Sequence, residues 1–94
     1  MKIKGLKSFV KKLEKRLVKE IDYKEEPYVV VDGIKITYID EGEPFIDISV
    51  RVGYKFNEQL HQTKENIKLE ADGNLEYIAG VFATKLENAE FEIY

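Results

Sequence analysis

Apolar residues recur with a helical period in the first 20 residues of the chain, MKIKGLKSFVKKLEKRLVKE. The spacing alternates between three and four residues, which places five side chains on one stripe of a helix. These are Ile3, Leu6, Val10, Leu13 and Leu17. At about 100° per residue, a basic set falls on the opposite face. It consists of Lys4, Lys11, Lys12, Lys15 and Lys19. The pattern predicts an amphipathic helix with one basic face.

The period changes to two after Pro27, which is typical of strands. In the stretch YVVVDGIKITYI, Asp32-Gly33 separates two β-branched runs, and this predicts a hairpin with a two-residue type I′ turn. The stretch FIDISVRV alternates apolar and polar residues and predicts a half-buried strand. The polar stretch YKFNEQLHQTKEN that follows is compatible with a long loop or with one helical turn.

The last third of the chain continues this pattern of short strands. Asp72-Gly73 predicts a second tight turn. The apolar stretch after it is interpreted as a strand, with a bulge or bend at Gly80. The final residues, AEFEIY, alternate between apolar and acidic side chains and predict a last strand.

These patterns predict an α+β fold in which one N-terminal amphipathic helix packs on a mostly antiparallel β-meander of about five to six strands. A chain of 94 residues is expected to form one domain, residues 1–94. The prediction places a helix at residues 5–22 and strands at residues 28–31, 34–39, 45–52, 64–71, 75–84 and 89–94.

The net charge of −3 is distributed unevenly along the chain. Residues 1–19 carry seven lysines and one arginine against one glutamate, whereas residues 20–94 carry seven basic and 17 acidic residues. Such asymmetry is a hint of a binding segment, and it also fits a basic helix that lies on the acidic body of its own chain. An acidic β surface of this size could further imitate the charge of nucleic acid.

The side chains that support catalysis are scarce in this sequence. There is no cysteine, and the only histidine, His61, lies in the polar stretch and is interpreted as a solvated loop residue. Neither Ser8 nor Ser49 lies in a strand–turn–helix motif, and no glycine-rich phosphate loop occurs. The acidic stretch from Asp40 to Glu43 lacks the spacing of a calcium loop and is interpreted as a solvated turn. We therefore expect no enzyme activity, no cofactor and no metal site.

A short stretch at the end of the alternating strand, RVGYKF, is a weaker candidate for binding. Arg51 and Lys55 interleave with Tyr54 and Phe56, as basic and aromatic residues do on strands that stack RNA bases. The alternative is that the two aromatic rings pack at the edge of the core.

Three interpretations of the basic helix remain open. Its lysines simply face water, they bind nucleic-acid phosphates, or the helix leaves the sheet for a membrane or a partner. We expect a non-enzymatic interaction module that binds a partner protein, or itself as a homodimer, through a sheet edge or a charged surface. Nucleic-acid binding through the lysines is the alternative, membrane binding is not favoured, and no small-molecule ligand is evident. The lack of cysteine fits a cytoplasmic protein.

Overall fold

A computed structural model of the chain describes residues 6–37, 45–70 and 74–94. The elements in chain order are α1 (Leu6–Val18), a 3-10 turn (Lys19–Ile21), β1 (Glu25–Thr37), β2 (Phe45–Phe56), β3 (Gln59–Glu70), α2 (Leu75–Glu87) and β4 (Glu92–Ile93). Within these ranges the strands form one antiparallel sheet in the order β1-β2-β3-β4. The predicted α+β class and antiparallel meander are confirmed. The predicted count of five to six strands is wrong, because the described residues form four.

The predicted hairpin at Asp32-Gly33 is instead a bulge inside one long strand. Val31 and Gly33 pair with consecutive residues of β2, so Asp32 is the extra residue. Its carboxylate oxygens lie 3.0 Å from the Nε atom of Arg51 on β2. The bulge turns the strand so that Val31 and Ile34, three residues apart, both pack against the core. An Asp-Gly pair suits a bulge as well as a turn, which is why the pattern misled.

The hairpin between β2 and β3 uses a different pair, Asn57-Glu58. Phe56 pairs with Gln59, and the two turn residues have φ angles of 52° and 63°. Positive φ at both central residues is the signature of a type I′ turn. Glu58 is a weak sequence signal for this turn, because a residue with a β-carbon is disfavoured there by about 1–2 kcal/mol. The polar stretch is therefore the end of β2 and most of β3, and it is neither a long loop nor a helical turn.

The strand predicted at residues 75–84 is wrong, because these residues belong to α2. Asn74 caps the helix, and its side-chain oxygen accepts a hydrogen bond of 2.9 Å from the amide of Tyr77. The buried residues Ile78, Ala79 and Phe82 follow helical spacing. Gly80, which costs about 1 kcal/mol in a helix, lies on the exposed face. The cap and the buried stripe outweigh it.

Several other predictions fall at the borders of the described ranges. The final strand predicted at residues 89–94 is reduced to β4, which has two residues. Residues 1–5, the acidic stretch at residues 40–43 and the predicted turn at Asp72-Gly73 lie outside the described residues.

The core lies between one face of the sheet and the two helices, with α1 packed over β1 and α2 over β3. Leu13 and Leu17 of α1, and Phe82 of α2, are fully buried. Burial of each such side chain contributes roughly 1.5–3 kcal/mol. Because the helices share one face, the other face of the sheet is left uncovered, as is common in antiparallel sheets.

An ion pair joins the two helices at the border of the core. The Nε and Nη2 atoms of Arg16 on α1 each lie 2.9 Å from a carboxylate oxygen of Glu76 on α2. Its Nη1 atom lies 3.2 Å from Glu20. The hydrogen bonds that Arg16 donates to Glu76 lower the pKa of the Glu76 carboxyl and raise the pKa of Arg16 above its already high value. Glu76 is largely exposed, so this pair fixes the position of α2 more than it stabilises the fold.

Tyr28 crosses the uncovered face of the sheet. It lies on β1 opposite Gly53 of β2, and its hydroxyl donates a hydrogen bond to the Oε1 atom of Gln62 on β3. A methyl group at Gly53 would overlap with the Tyr28 ring. Burial raises the pKa of the Tyr28 hydroxyl above its usual value. Gly53 is thus needed so that the ring can span three strands.

We predict that Gly53→Ala destabilises the protein by about 1–3 kcal/mol, the usual cost of overpacking. In a Tyr28→Val background the same substitution should be neutral or slightly stabilising, because alanine is less flexible than glycine in the unfolded chain. Urea unfolding of the four proteins measures both effects. If Gly53→Ala lowered the free energy of unfolding equally in the two backgrounds, the Tyr28 ring would not be what requires a glycine at position 53.

Candidate functional site

Where the structure describes the chain, most of the outer edge of β3 is unpaired. On the side away from β2, the only strand that pairs with β3 in the described residues is β4, which lies opposite His61 and Gln62. In addition, the amide of Tyr94 donates a 2.8 Å hydrogen bond to the Leu60 carbonyl. Backbone amide and carbonyl groups alternate in direction along a strand. Because the Leu60 carbonyl points away from β2, toward Tyr94, the backbone groups of the even-numbered residues of β3 all point away from β2. The pairing with β2 contains no bulge that would change this alternation.

Counting only the described residues, three residues therefore present unpaired backbone groups beyond Glu92, where β4 begins. They are Lys64, Asn66 and Lys68, and all three are exposed. We call this row the free edge of β3. Within the described residues, no hydrogen bond uses the outward amide or carbonyl groups of this row. A row of unpaired groups on a strand edge is a template for a further strand.

The opposite edge of the sheet, on β1, is treated differently. The amide of Val31 faces away from β2, and it donates a 2.8 Å hydrogen bond to the Oε2 atom of Glu14 on α1. Pro27 lacks an amide altogether, and the bulge at Asp32 bends the same strand. These are features that keep edge strands from pairing with other chains. Among the described residues, the edge of β1 therefore has features that hinder pairing, whereas the edge of β3 beyond β4 has unpaired backbone groups.

The surroundings of the free edge of β3 combine positive charge with apolar surface. Lys64 and Lys68 project from the uncovered face of the sheet, while Ile67, on the helix side, is buried. Glu76, which contacts Arg16, marks the flank of α2 that faces α1. At about 100° per residue, Val81 and Lys85 lie on the opposite flank of α2. That flank borders the free edge, because α2 packs over β3.

A cavity of about 320 Å³ lies beside Glu92, the first residue of β4. It is lined by Gln62, Thr63 and Lys64 of β3 and by Glu92 and Tyr94 of the C-terminal segment. The Tyr94 hydroxyl donates a 3.3 Å hydrogen bond to the Glu92 carboxylate. Lys64, the first residue of the free edge, therefore lies at this cavity.

The lysines predicted on α1 lie on its exposed face. Lys11, Lys12, Lys15 and Lys19 are exposed, and none forms an ion pair within the described residues. We call these four residues the lysine face of α1. Lys4, the fifth residue of the predicted set, lies outside the described residues.

A groove of about 430 Å³ runs from the lysine face of α1 to the first residue of α2, Leu75. The apolar stripe of α1 is buried beneath this face, with Leu13 and Leu17 fully covered. Of the described helices, neither has the length and apolar content needed to cross a membrane. The lysines are thus presented on a helix whose apolar side is already occupied.

The weaker candidates Arg51, Tyr54, Lys55 and Phe56 are divided between the two faces of the sheet. Tyr54 and Phe56 lie on the helix side, where both rings contact His61. Arg51 and Lys55 lie on the uncovered side, each in an ion pair, at 3.0 Å from Asp32 and at 3.1 Å from Glu26. The structure does not bring the basic and aromatic residues together on one face.

His61 lies in β3, half-buried, and the prediction of a solvated loop histidine is wrong. Its ring stacks on Tyr54 with the centroids 5.1 Å apart, and Phe91 packs edge-on against Tyr54 at the same distance. Lys24 lies 4.6 Å above the Tyr54 ring. The Nε2 atom of His61 is buried without a hydrogen-bond partner among the described residues. The cluster joins the β2–β3 hairpin to the C-terminal segment.

The sequence did not identify which edge of the sheet is open. Thr63 and Glu65, which face the helix side of β3, are polar and only half-buried, so β3 lacks the alternation that marks β2. The Asn57-Glu58 turn was the one signal that could have placed the start of β3 correctly.

Comparison of this chain with protein-family models, with curated proteins and with solved structures finds no match. The candidate function therefore rests on the geometry of the sheet edges and on the distribution of charge.

Proposed function

We propose that this chain is a protein-interaction module that binds an extended segment of a partner as an additional strand along the free edge of β3. One observation carries the proposal: the outward backbone groups of Lys64, Asn66 and Lys68 have no partner among the described residues, whereas the outward amide of Val31 at the other edge donates a hydrogen bond to Glu14. Strand addition uses such groups for affinity and the neighbouring side chains for specificity.

The affinity expected from this edge is modest. Three residues can form up to about six backbone hydrogen bonds, each worth a net 0.5–1.5 kcal/mol. Association itself costs at least about 4 kcal/mol, so side-chain contacts must supply the rest. We expect dissociation constants between about 1 μM and 1 mM, which suits reversible regulation or assembly.

We predict that Asn66→Pro weakens partner binding at least about tenfold, because proline removes one outward amide at the centre of the edge. Proline is tolerated on an edge strand when its nitrogen faces outward, so the fold should persist. The matched control is Asn66→Thr, which keeps the amide and should bind like the unmodified chain. The probe is a 12-residue peptide selected from a displayed random library against the unmodified protein, and binding is measured by calorimetry.

A second measurement does not depend on whether the proline variant folds. Binding of the selected peptide to the unmodified protein should slow hydrogen exchange at the amides of Lys64, Asn66 and Lys68. If no peptide is selected, or if the bound peptide leaves the exchange of these three amides unchanged, the proposal is wrong.

Nucleic-acid binding through the lysine face of α1 is the second candidate function. Four exposed lysines that form no ion pair within the described residues favour it, as does the burial of Leu13 and Leu17 on the apolar side of the same helix. Such binding would be independent of sequence and sensitive to salt. The excess of acidic residues in the rest of the chain opposes it.

This second candidate predicts that the protein is retained on immobilised duplex DNA at about 150 mM salt. Changing Lys11, Lys12 and Lys15 to Glu should abolish retention. The control variant changes Lys35, Lys64 and Lys68 to Glu, which alters the net charge equally and leaves α1 intact. Passage of the unmodified protein through the column, or equal losses in both variants, would exclude a site on the lysine face.

The remaining expectations from the sequence stay predictions. They are the lack of enzyme activity and of a cofactor, self-association as an alternative to a partner protein, and a cytoplasmic location.

A further inference from the structure

The free edge of β3 restricts what kind of strand it can accept. On the uncovered face of the sheet, Lys64 and Lys68 lie on either side of Asn66. Alternate residues of an added strand would therefore lie opposite a lysine, then the Asn66 side chain, then the second lysine. In directly opposed pairs, opposite charges stabilise a sheet and like charges destabilise it. Lys85, exposed on the bordering flank of α2, adds a third cation.

A second copy of the chain is a poor match for this edge. The one symmetric antiparallel register that uses all three free residues centres on Asn66. It sets Lys64 of each copy directly opposite Lys68 of the other. Two such like-charge pairs oppose self-pairing, and they favour a partner of the opposite charge.

The helix side of the free edge sets a different requirement. Ile67 is buried, and the half-buried Val81 lies on the flank of α2 that borders the edge. A partner residue opposite Ile67 would be placed against both, so it should be apolar. Glu65 faces the same side, which disfavours an acidic residue opposite it.

We infer that the partner segment is an extended acidic strand with two carboxylates four residues apart and an apolar residue directly after the first. The inference rests on the proposed function, since it assumes that the free edge accepts a strand. The segment runs antiparallel to β3. From the position opposite residue 68 to the position opposite residue 64, its five residues are acidic, apolar, unrestricted in type, polar and acidic.

The two lysines do not contribute equally. Glu92 belongs to β4, which a new strand would continue, and its carboxylate lies beside the cavity at the Lys64 end of the edge. It therefore repels an acidic residue placed opposite Lys64. Lys68 lies farther from β4, so the carboxylate opposite Lys68 should contribute more to binding.

The test uses three synthetic peptides that differ only at the two charged positions, TEVTTEV, TQVTTQV and TKVTTKV, with blocked ends. At about 50 mM salt the acidic peptide should bind at least about tenfold more tightly than the basic one, and the difference should shrink at higher salt. Lys68→Glu should reduce the binding of the acidic peptide more than Lys64→Glu does, and the double variant should prefer the basic peptide. The control is Lys11→Glu with Lys12→Glu, which changes the net charge equally on α1 and should retain the preference.

Each outcome separates this inference from the proposed function. Equal binding of the three peptides, with slowed exchange at the Lys64, Asn66 and Lys68 amides, would overturn the acidic preference and leave strand addition intact. The same holds if the library-selected peptide binds the edge and the acidic peptide does not. A dimer in light scattering that Asn66→Pro converts to a monomer would make a second copy the occupant and overturn the inference. Failure of every peptide to protect the edge amides would overturn both proposals.

Discussion

Ile48, Val50 and Val52 lie along the middle of the apolar face of the sheet, and each is at most 1% exposed. Covering this row is the constraint on which the rest of the structure depends. One helix is too narrow for it, because a helix with its side chains is about 10–12 Å wide and adjacent strands are about 4.8 Å apart. The two helices therefore lie side by side, α1 over β1 and α2 over β3, and Arg16 joins them.

The placement of the helices decides how each edge of the sheet is treated. α1 reaches far enough over β1 for Glu14 to accept a hydrogen bond from the Val31 amide. A residue of the covering helix thus also occupies a backbone group at the edge of the sheet. At the other side, β4 covers β3 for only two residues, and Phe91 packs on Tyr54 on the helix side of the sheet. In the part of the chain that the structure describes, the charge of Lys64 and Lys68 is the remaining feature that hinders other strands from pairing with this edge. Lysines discourage pairing with like-charged strands, but they do not discourage pairing with acidic ones.

The sequence predicted the elements whose patterns are strong and local. The apolar stripe of α1 contains Leu13 and Leu17, which are fully buried, and the alternation in β2 is clear. It misled where local chemistry allows two outcomes. Asp32-Gly33 has the composition of a turn but forms a bulge, because pairing with β2 continues on both sides of it. Gly80 and its β-branched neighbours suggest a strand, yet the Asn74 cap and the sheet surface select a helix. The open edge could not be predicted, because it depends on where β4 stops.

Amide hydrogen exchange of the free protein tests the central claim most directly, namely that β1 has a closed edge and β3 an open one. The account predicts slow exchange at Val31 and an alternation along β3. Glu65 and Ile67, whose amides face β2, should exchange slowly, and Lys64, Asn66 and Lys68 should exchange much faster. In a Glu14→Ala variant, Val31 should join the fast group. Uniformly slow exchange from Lys64 to Lys68 would show that the edge is already occupied, and it would contradict the account.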